Sequence, residues 1–413
     1  MAEDKLPGVM ELTPFNPVFN DDPHVLLDRL RNACPVHRDT NSGSFILTGY
    51  DDVRAVLSDT TMWRHPERAE EAAVLSRAGL QPAPPGLTVP EDERGAGILF
   101  MDEPDHMRVR APLAKALYKR VAKSRPLVQQ VVDEWLDRVA DSGSFDVMTD
   151  FATRVPVDVI ARTLGVDPAR LAEFREWSEG AILGLYPFRN EAETQGYVHA
   201  RNCLSDYTRE LMAARRAAPR DDLTSDMVAL QAEGAELSDS ELSTNLQGLL
   251  IAGSLTTTDL IGNAIWLLLT HPQELAKLKA DPSLIGSAVE EALRIESPVD
   301  LTSRIAPREM EVRGCPVHPT QSMLLHLRAA NHDPKVFPDP RRFDVTRKDA
   351  PHVAFGGGLH LCVGAPLGRL MGQVAILTFL DRFPNARLAN PDEKPQWATM
   401  PLFRGFKTLR VAI

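Results

Sequence analysis

The chain contains few cysteines, and their spacing argues against two common uses of that residue. The four cysteines, at positions 34, 203, 315 and 362, lie far apart, and neither a CxxC pair nor a zinc-type Cys/His spacing occurs. A disulfide framework or a structural zinc site is normally marked by such spacings. The sequence therefore indicates neither of them.

Negative charge exceeds positive charge in this chain, and long apolar runs are absent. The 413 residues carry a net charge of −11, which argues against binding to nucleic acid or to anionic membranes. No window approaches the roughly 20 apolar residues of a membrane span. The first residues are polar and lack the basic-then-apolar plan of a secretory signal. These absences predict a soluble protein of the cytoplasm.

Apolar residues at helical spacing are abundant. Hydrophobic residues make up 43% of the chain, enough for a large core. Length alone suggests about two or three domains, yet no long linker marks a boundary. Short strands are predicted around Val36–His37 and Phe45–Leu47. The periodicity predicts helices around Val25–Leu30, Asp51–Leu57, Val128–Val139, Phe151–Leu164, Leu171–Leu183 and Thr194–Arg216.

The run FGGGLHLCVGAPLGR, residues 355–369, is the most informative stretch of the chain. Three consecutive glycines allow a tight turn and a close approach of the backbone to a large flat group. Apolar residues recur at helical spacing from Val363 onward, so Cys362 lies just ahead of a helix N-terminus. The free N–H groups and the dipole of a helix start favour a thiolate, which haem iron accepts as an axial ligand. The alternative is a buried structural cysteine.

This run resembles the haem-binding loop of the cytochrome P450 family, F-G-x-G-x-H-x-C-x-G-x-x-L-x-R. With each residue type at roughly 5% usage, even six such matches arise by chance about once in 10⁸ starting points. The resemblance implies one domain over residues 1–413, mainly α with a smaller β-rich region and a long central helix over a haem. The matching residues are Phe355, Gly356, Gly358, His360, Cys362, Gly364, Leu367 and Arg369.

A second segment, DEPDHMRVR at 102–110, places His106 and Arg110 four residues apart on one helix face. Such a pair alone is more often a solvated face than a site. The segment is similar to the D-x-P-x-H-x-x-x-R pattern of the same family, in which the pair binds a haem propionate. The resemblance implies the same role for Arg304 and His360, and places Phe355 and Gly364 in the cofactor loop.

A long helix is predicted from the capping box Ser238–Glu241 to Thr270, about 50 Å at 1.5 Å per residue. Its middle contains poor helix formers, which suggests a kink, although a tolerated weak spot is also possible. The stretch resembles the family signature A/G-G-x-D/E-T-T. Thr256 then falls on the threonine that activates oxygen, with Thr257 beside it and Gly253 opening the helix.

Leu255 departs from that signature, because the family has an acid at this position that helps to relay protons. Three outcomes stay open. Protons reach the site by water past Ser254, Thr257 or Asp259, which is our first choice because the hydroxyl groups are retained. Otherwise oxygen activation is slow and leaky, or the enzyme uses peroxide directly.

Two charged motifs complete the resemblance. Glu291 and Arg294 match the E-x-x-R pair of the family, and Arg342 matches its third member; their expected role is to hold the cysteine loop. Five cations in eleven positions stand out in an acidic protein. They form either a solvated helix face or a docking surface for an acidic electron-transfer protein. These cations are Lys115, Lys119, Arg120, Lys123 and Arg125.

The resemblance implies a haem–thiolate monooxygenase with haem b (iron protoporphyrin IX), in which Cys362 ligates the iron. One oxygen atom of O2 enters a small apolar substrate, and electrons come from a separate ferredoxin-type iron–sulfur protein with its reductase. The alternatives are a peroxygenase of the same fold and a haem-binding sensor or carrier. Arginines 64, 68 and 189 are weaker candidates for anchoring a substrate carboxylate. The candidate lining positions are mostly apolar: Ile98, Leu99, Leu185, Phe188, Leu249, Ala252, Leu301 and Met400.

Overall fold

The computed structural model describes residues 6–73, 75–77, 83–93, 97–185, 189–348 and 350–413, with the backbone alone for Leu185. Most of these residues are helical. The helices are α1 Pro17–Asp21, α2 His24–Ala33, α3 Tyr50–Ser58, α4 Asp105–Val121, α5 Arg125–Asp137, α6 Arg154–Leu164, α7 Leu171–Ile182, α8 Glu191–Ala217, α9 Leu223–Ala232, α10 Asp239–Thr270, α11 Pro272–Ala280, α12 Ile285–Ile295, α13 Leu327–Asn331 and α14 Ala365–Arg382.

The strands are short. They are β1 Val36–Asp39, β2 Ser44–Leu47, β3 Ser144–Asp146, β4 Leu301–Ile305, β5 Met310–Val312, β6 Cys315–Val317, β7 Ser322–His326, β8 Arg387–Leu388, β9 Gln396–Trp397, β10 Phe406–Thr408 and β11 Arg410–Ala412. The predicted fold class, mainly α with a smaller β-rich part, is confirmed. In the described part of the chain, no helix is both long enough and apolar enough to cross a bilayer.

The chain forms two compact units. Unit 1 consists of Met1–Gln81, Gly262–Cys362 and Arg387–Leu409. Its four-stranded sheet has the order β1-β2-β7-β4, with β7 parallel to β2 and antiparallel to β4. Every residue of the two central strands is buried, as expected for strands covered on both faces.

Unit 2 consists of Pro82–Ile261, Val363–Ala386 and Arg410–Ile413, and it is built mainly from helices. Close packing in it depends on small residues. A Cβ at Gly180 of α7 would lie 2.6 Å from the Cβ of Ala200 in α8, well inside contact distance. Helix α5 is tied to α6 by the indole N–H of Trp135, which donates to the buried carboxylate of Asp158 at 3.0 Å.

Helix α10 has 32 residues, so it is about 48 Å long. The predicted capping box is confirmed. The N–H of Glu241 donates to Oγ of Ser238 at 3.1 Å, and the N–H of Ser238 donates to Oε2 of Glu241 at 2.8 Å. The helix ends at Thr270, two residues before Pro272 starts α11. Its poor formers stay helical, and Ser254 and Thr256 donate their hydroxyls to the carbonyls four residues earlier.

Three histidines of unit 1, His24, His326 and His332, are buried. The ring centroids of His24 and His332 are 3.9 Å apart, and burial lowers the pKa of both well below the usual value. Burial also lowers the pKa of His326 from 6.5 to about 4. The charge of Asp300 raises this pKa, whereas the charges of Arg328 and Arg31 lower it. All three are therefore neutral in the folded protein near neutral pH.

These histidines predict a loss of stability in mild acid. Below pH 6.5 His326 binds a proton in the unfolded chain, whereas in the folded chain it does so only near pH 4. Stability is therefore full above about pH 6.5 and falls as the pH drops through this window. We expect His326 alone to remove about 2 kcal/mol from the free energy of unfolding between pH 7 and pH 5. Urea unfolding at the two pH values measures it.

The matched variants are His326→Asn and His318→Asn. Asparagine can still cap α13, where Nδ1 of His326 accepts the N–H of Ala329. His318 is exposed beside Glu309 and serves as the control for replacing a histidine that is not buried. An equal acid sensitivity in wild type and His326→Asn would contradict the assignment to His326.

Candidate active site

The cysteine loop lies in unit 1, and its shape depends on glycine. Gly356 and Gly358 have φ angles of 70° and 62°, which L side chains rarely adopt. A Cβ at residue 358 would lie 2.1 Å from the carbonyl oxygen of Leu57 in α3, a distance that no side chain tolerates. The N–H of Cys362 donates to the carbonyl of Phe355 at 3.0 Å and closes the loop. Cys362 is exposed at the end of this turn, three residues before α14 begins.

A buried ion pair of unit 1 binds the backbone of the segment that precedes this loop. The guanidinium of Arg294 binds the carboxylate of Glu291 through two hydrogen bonds of 2.8 Å, and both side chains are fully buried. Arg294 also donates to the carbonyls of Asn331 and Pro340. Every strong acceptor and donor of the pair is therefore used, which a buried ion pair requires.

The third member of this group is Arg347, so the expectation for Arg342 is wrong. Nε of Arg347 donates to Oε1 of Glu291 at 3.0 Å. The side chain of Arg342 is 59% exposed and lies 3.5 Å from Asp344, while its carbonyl accepts from both Arg294 and Arg347. The motif residue thus contributes through its backbone. No local spacing signals Arg347, because Glu291 precedes it by 56 residues.

Asn331 connects this cluster to the loop. Its side-chain oxygen accepts the N–H of Val353 at 2.8 Å, and its amide donates to Oγ of Ser297 at 2.9 Å. Val353 lies two residues before Phe355, where the glycine-rich turn starts. A fully buried asparagine at the end of α13 therefore fixes the entry of the cysteine loop.

Strand β4 of unit 1 carries two further predicted residues. Arg304 is 3% exposed, and its Nη1 donates to the carbonyl of Ser303 at 2.8 Å. Arg64 donates to the same carbonyl at 2.8 Å and to Oγ of Ser303 at 2.6 Å, so it is held by the protein. Leu301 is half-buried at the start of the strand, while Met400 is 3% exposed.

The loop with Met400 lies between β9 and β10, which pair with each other in antiparallel orientation. Its end is fixed in unit 1. Phe403 forms an isolated antiparallel bridge with Val299, and the carbonyl of Leu402 accepts the N–H of Asp300 at 2.9 Å. The segment just before β4 and this C-terminal loop are therefore neighbours.

In unit 2, His106 and Arg110 lie one turn apart on α4, as predicted. His106 is fully buried, and its Nδ1 lies 3.4 Å from a carboxylate oxygen of Glu103. Burial lowers the pKa of His106, Glu103 raises it, and the charge of Arg110 lowers it further. The net direction is downward, so this imidazole is neutral at pH 7, whereas Arg110 is a half-buried cation.

The middle of α10 presents one accessible face. Ala252 is exposed, and Thr256, one turn later, is half-buried with its hydroxyl donating to the carbonyl of Ala252 at 2.8 Å. Thr257 is buried, and Leu255 is half-buried. Gly253 allows a close approach of helices, since a Cβ there would lie 2.7 Å from Cδ1 of Ile160 in α6. The glycine therefore has a packing role in unit 2.

Other predicted lining residues adjoin the same face. The N–H of Ile98 donates to Oδ1 of Asn245 in α10 at 3.0 Å. Leu249 follows Asn245 by one turn and is half-buried, and Leu99 is 51% exposed. An asparagine inside a mostly apolar helix was the signal that the sequence offered for this contact. Phe188 lies outside the described residues, and of Leu185 only the backbone, in a short 3-10 turn, is described.

An exposed thiol at the end of a rigid turn, directly ahead of a helix, is suited to bind a metal centre, and the loop defines the class of haem–thiolate proteins. Comparisons with known proteins identify the family. The family model "Cytochrome P450" matches residues 182–402. Cytochrome P450 107B1 of Saccharopolyspora erythraea is 36% identical over 408 residues, which cover 98% of each chain. The chain belongs to the cytochrome P450 family.

Two further comparisons agree. The 6-deoxyerythronolide B hydroxylase of the same organism is 37% identical and covers 96% of this chain and 97% of its own. The crystal structure of the myxobacterial cytochrome P450 CYP267B1 in complex with myristic acid has a TM-score of 0.84 and 34% identity, covering 96% of this chain and 98% of its own. The protein is a haem-dependent monooxygenase that uses O2 and electrons from a redox partner.

The residues of the chain fit the haem that this family implies. Cys362 offers one sulfur ligand, and the arginines and histidines singled out above offer donors of the kind that bind carboxylates. Gly358 lets the turn pack closely against α3, since a Cβ there would lie 2.1 Å from the carbonyl oxygen of Leu57, and Cys362 is exposed at the end of the same loop. The donor chemistry and the shape of the loop therefore agree with a haem–thiolate centre.

Proposed function

We propose that Cys362 is the axial ligand of a haem b and that the enzyme hydroxylates a small apolar molecule. The observation that carries the assignment is the exposed position of Cys362, on a turn closed by its own N–H and fixed by Gly358. When bound, the haem supplies the activation of O2 and the transfer of one oxygen atom. The protein supplies binding, orientation and the movement of protons.

The ligand assignment is tested by the visible spectrum of the purified, reduced protein under carbon monoxide. A thiolate ligand shifts the main haem band to longer wavelength than a histidine ligand does. We expect the thiolate position for the wild type. A band at the position of a histidine-ligated globin would overturn the assignment.

We further propose that the haem propionates are bound by two arginines, Arg110 and Arg304, together with His106 and His360. The planar donors of an arginine match the two oxygens of a carboxylate. A neutral His106 can donate one N–H without adding charge, which its lowered pKa supports. Phe355 and Gly364 bound the cysteine loop on its two sides and are proposed to contact the ring.

Thr256 is proposed to hold and pass a proton at its hydroxyl, because Leu255 cannot do so. Thr256 lies on the accessible face of α10, whereas Ser254 is buried and donates to the carbonyl of Leu250. Thr257 and Asp259 are buried as well, so water that reaches Thr256 along the accessible face of α10 is the route that we propose for protons. Measurable turnover with peroxide and no reductase would instead favour the peroxygenase that Leu255 leaves open.

We expect Thr256→Ala to lower the product formed per electron consumed by about tenfold or more, since general acid catalysis contributes about 10²–10⁴-fold to a rate. Thr256→Ser keeps the hydroxyl and should retain most of the yield. The measurement compares product with reductant consumed in both variants. An alanine variant with the yield of the wild type would contradict the role of the hydroxyl.

The substrate that we propose is apolar and small. The support is the apolar side chains beside the accessible face of α10, namely Ile98, Leu99, Leu249 and Ala252, with Leu185, Phe188, Leu301 and Met400 as further lining residues. Titrating a panel that includes myristic acid and 6-deoxyerythronolide B, the compounds in the names of two similar proteins, tests this proposal. Apolar compounds should shift the haem band. A shift only with small polar compounds would overturn the proposal.

An acidic, ferredoxin-type iron–sulfur protein with its reductase is the proposed electron donor. On α4 and the start of α5, Lys115, Lys119, Lys123 and Arg125 are exposed. Arg120 is engaged in unit 2 by Asp226 at 2.6 Å and by Asp221 at 3.2 Å, so it is left out of the docking surface. The cytoplasm, where such donors are kept reduced, is the proposed compartment.

We expect the double variant Lys115→Glu/Lys123→Glu to raise the KM for an acidic ferredoxin by about tenfold at low salt, since each reversed charge at close range in water changes the energy by about 1 kcal/mol or more. The effect should shrink in high salt. Lys407→Glu on β10 is the control, because that lysine is also exposed. Equal KM values for the double variant and the wild type would contradict docking at this surface.

A further inference from the structure

Two cysteines that the enzymatic function does not use meet at the edge of the sheet in unit 1. The thiol of Cys34 lies 3.3 Å from the carbonyl oxygen of Val36, and the thiol of Cys315 lies 3.8 Å from the same oxygen. The two sulfur atoms can therefore be no farther apart than these two distances together. Residues 281 positions apart in sequence have been brought to one acceptor by the fold.

The surroundings of the pair allow the sulfurs to approach further. Cys34 follows the last turn of α2. Cys315 follows a two-residue turn whose residues, Arg313 and Gly314, both have positive φ angles. Residues at the ends of helices and strands adjust more easily than those in the interior of a helix or of a central strand. Both thiols are half-buried, so a small molecule reaches them, unlike a sulfur deep in the core.

We propose that Cys34 and Cys315 form a reversible intrachain disulfide, a redox modification site that is independent of the haem ligand. Burial and the neighbouring Cys315 raise the pKa of the Cys34 thiol, which agrees with two sulfurs that influence one another. The thiols are the reduced form of this site. The bond would join the end of α2 to the β5–β6 hairpin.

The oxidant is an external disulfide, and the exchange balances. One cysteine loses its proton, attacks a sulfur of the external disulfide and releases one small thiol, leaving a mixed disulfide on the protein. The second cysteine, also deprotonated, attacks the protein sulfur of that mixed disulfide and releases the second small thiol. The two protons end on the two released thiols, the protein pair is oxidised by two electrons, and the external disulfide is reduced.

The experiment treats the haem-loaded protein with oxidised glutathione, alkylates the remaining thiols and maps peptides without reduction. We expect a linked pair of peptides that contain Cys34 and Cys315, two hydrogen atoms lighter than the reduced pair and separated again by dithiothreitol. The oxidised protein should also show a raised melting midpoint, because the link restricts the unfolded chain.

The variants separate pairing from general thiol reactivity. Cys34→Ser and Cys315→Ser should each carry glutathione on the remaining cysteine of the pair, without linked peptides and without a rise of the melting midpoint on oxidation. Cys203→Ser should form the link as the wild type does. Wild-type protein that carries glutathione on either cysteine without linked peptides would overturn the proposal. So would complete alkylation of both cysteines after treatment.

Discussion

Replacement of Cys362 by serine is expected to abolish turnover and the thiolate position of the carbon monoxide band together. A serine hydroxyl stays protonated at neutral pH and is a harder donor than sulfur, so it neither binds haem iron in the same way nor directs electron density to the oxygen bond. The substitution exchanges one sulfur atom for an oxygen atom on an exposed residue, so the fold should be retained. Circular dichroism measures whether the fold is retained.

Cys203→Ser is the matched control. Cys203 lies on α8, half-buried, with its sulfur 3.8 Å from the ring nitrogens of His199 on the preceding turn. It has no place in the proposed site, so its variant should keep both the spectrum and the activity of the wild type. Turnover that persists in Cys362→Ser would end the haem–thiolate assignment of this cysteine.

The second large effect is expected at the buried ion pair of Glu291 and Arg294. Arg294→Met removes two bonds to the Glu291 carboxylate and leaves a fully buried negative charge poorly compensated. Breaking one partner of such a pair costs about 3–5 kcal/mol of the free energy of unfolding. We therefore expect Arg294→Met to accumulate poorly or to purify with little haem, as measured by urea unfolding and by haem absorbance per protein.

Two neighbouring arginines make this prediction specific. Arg347→Met removes the 3.0 Å bond to Glu291 and should cost about 1.5–3 kcal/mol, the usual value of a hydrogen bond to a charged group. Arg342→Met removes only an exposed side chain near Asp344 and should change the stability by about 0.5 kcal/mol or less. If Arg342→Met destabilised the protein more than Arg347→Met, the motif residue and not Arg347 would complete the cluster.

The comparison of Arg342 with Arg347 shows where sequence reasoning stops. Arg342 directly precedes Phe343 and Asp344, and Arg347 follows them five positions after Arg342. Only the path of the chain, which directs the carbonyl of Arg342 and the side chain of Arg347 inward, decides which guanidinium reaches Glu291. The same applies to the cations of α4, because Asp226, 106 residues later, takes Arg120 and leaves Lys115 and Lys123 exposed.

The sequence by itself determined the features that depend on near neighbours. The glycines of the cysteine loop, the capping box of α10 and the pairing of His106 with Arg110 on one helix face follow from residues a few positions apart, where local geometry is nearly fixed. The family pattern rests on this same local chemistry.

The tertiary structure alone decided which distant groups meet. Arg347 at Glu291, Asn245 at Ile98, and Cys34 with Cys315 at the carbonyl of Val36 are contacts between segments far apart in the chain. The chain contains many other residues of the same types that could make each contact equally well. The packing of the whole core determines the path of the chain, and this path determines which of these side chains come within contact distance.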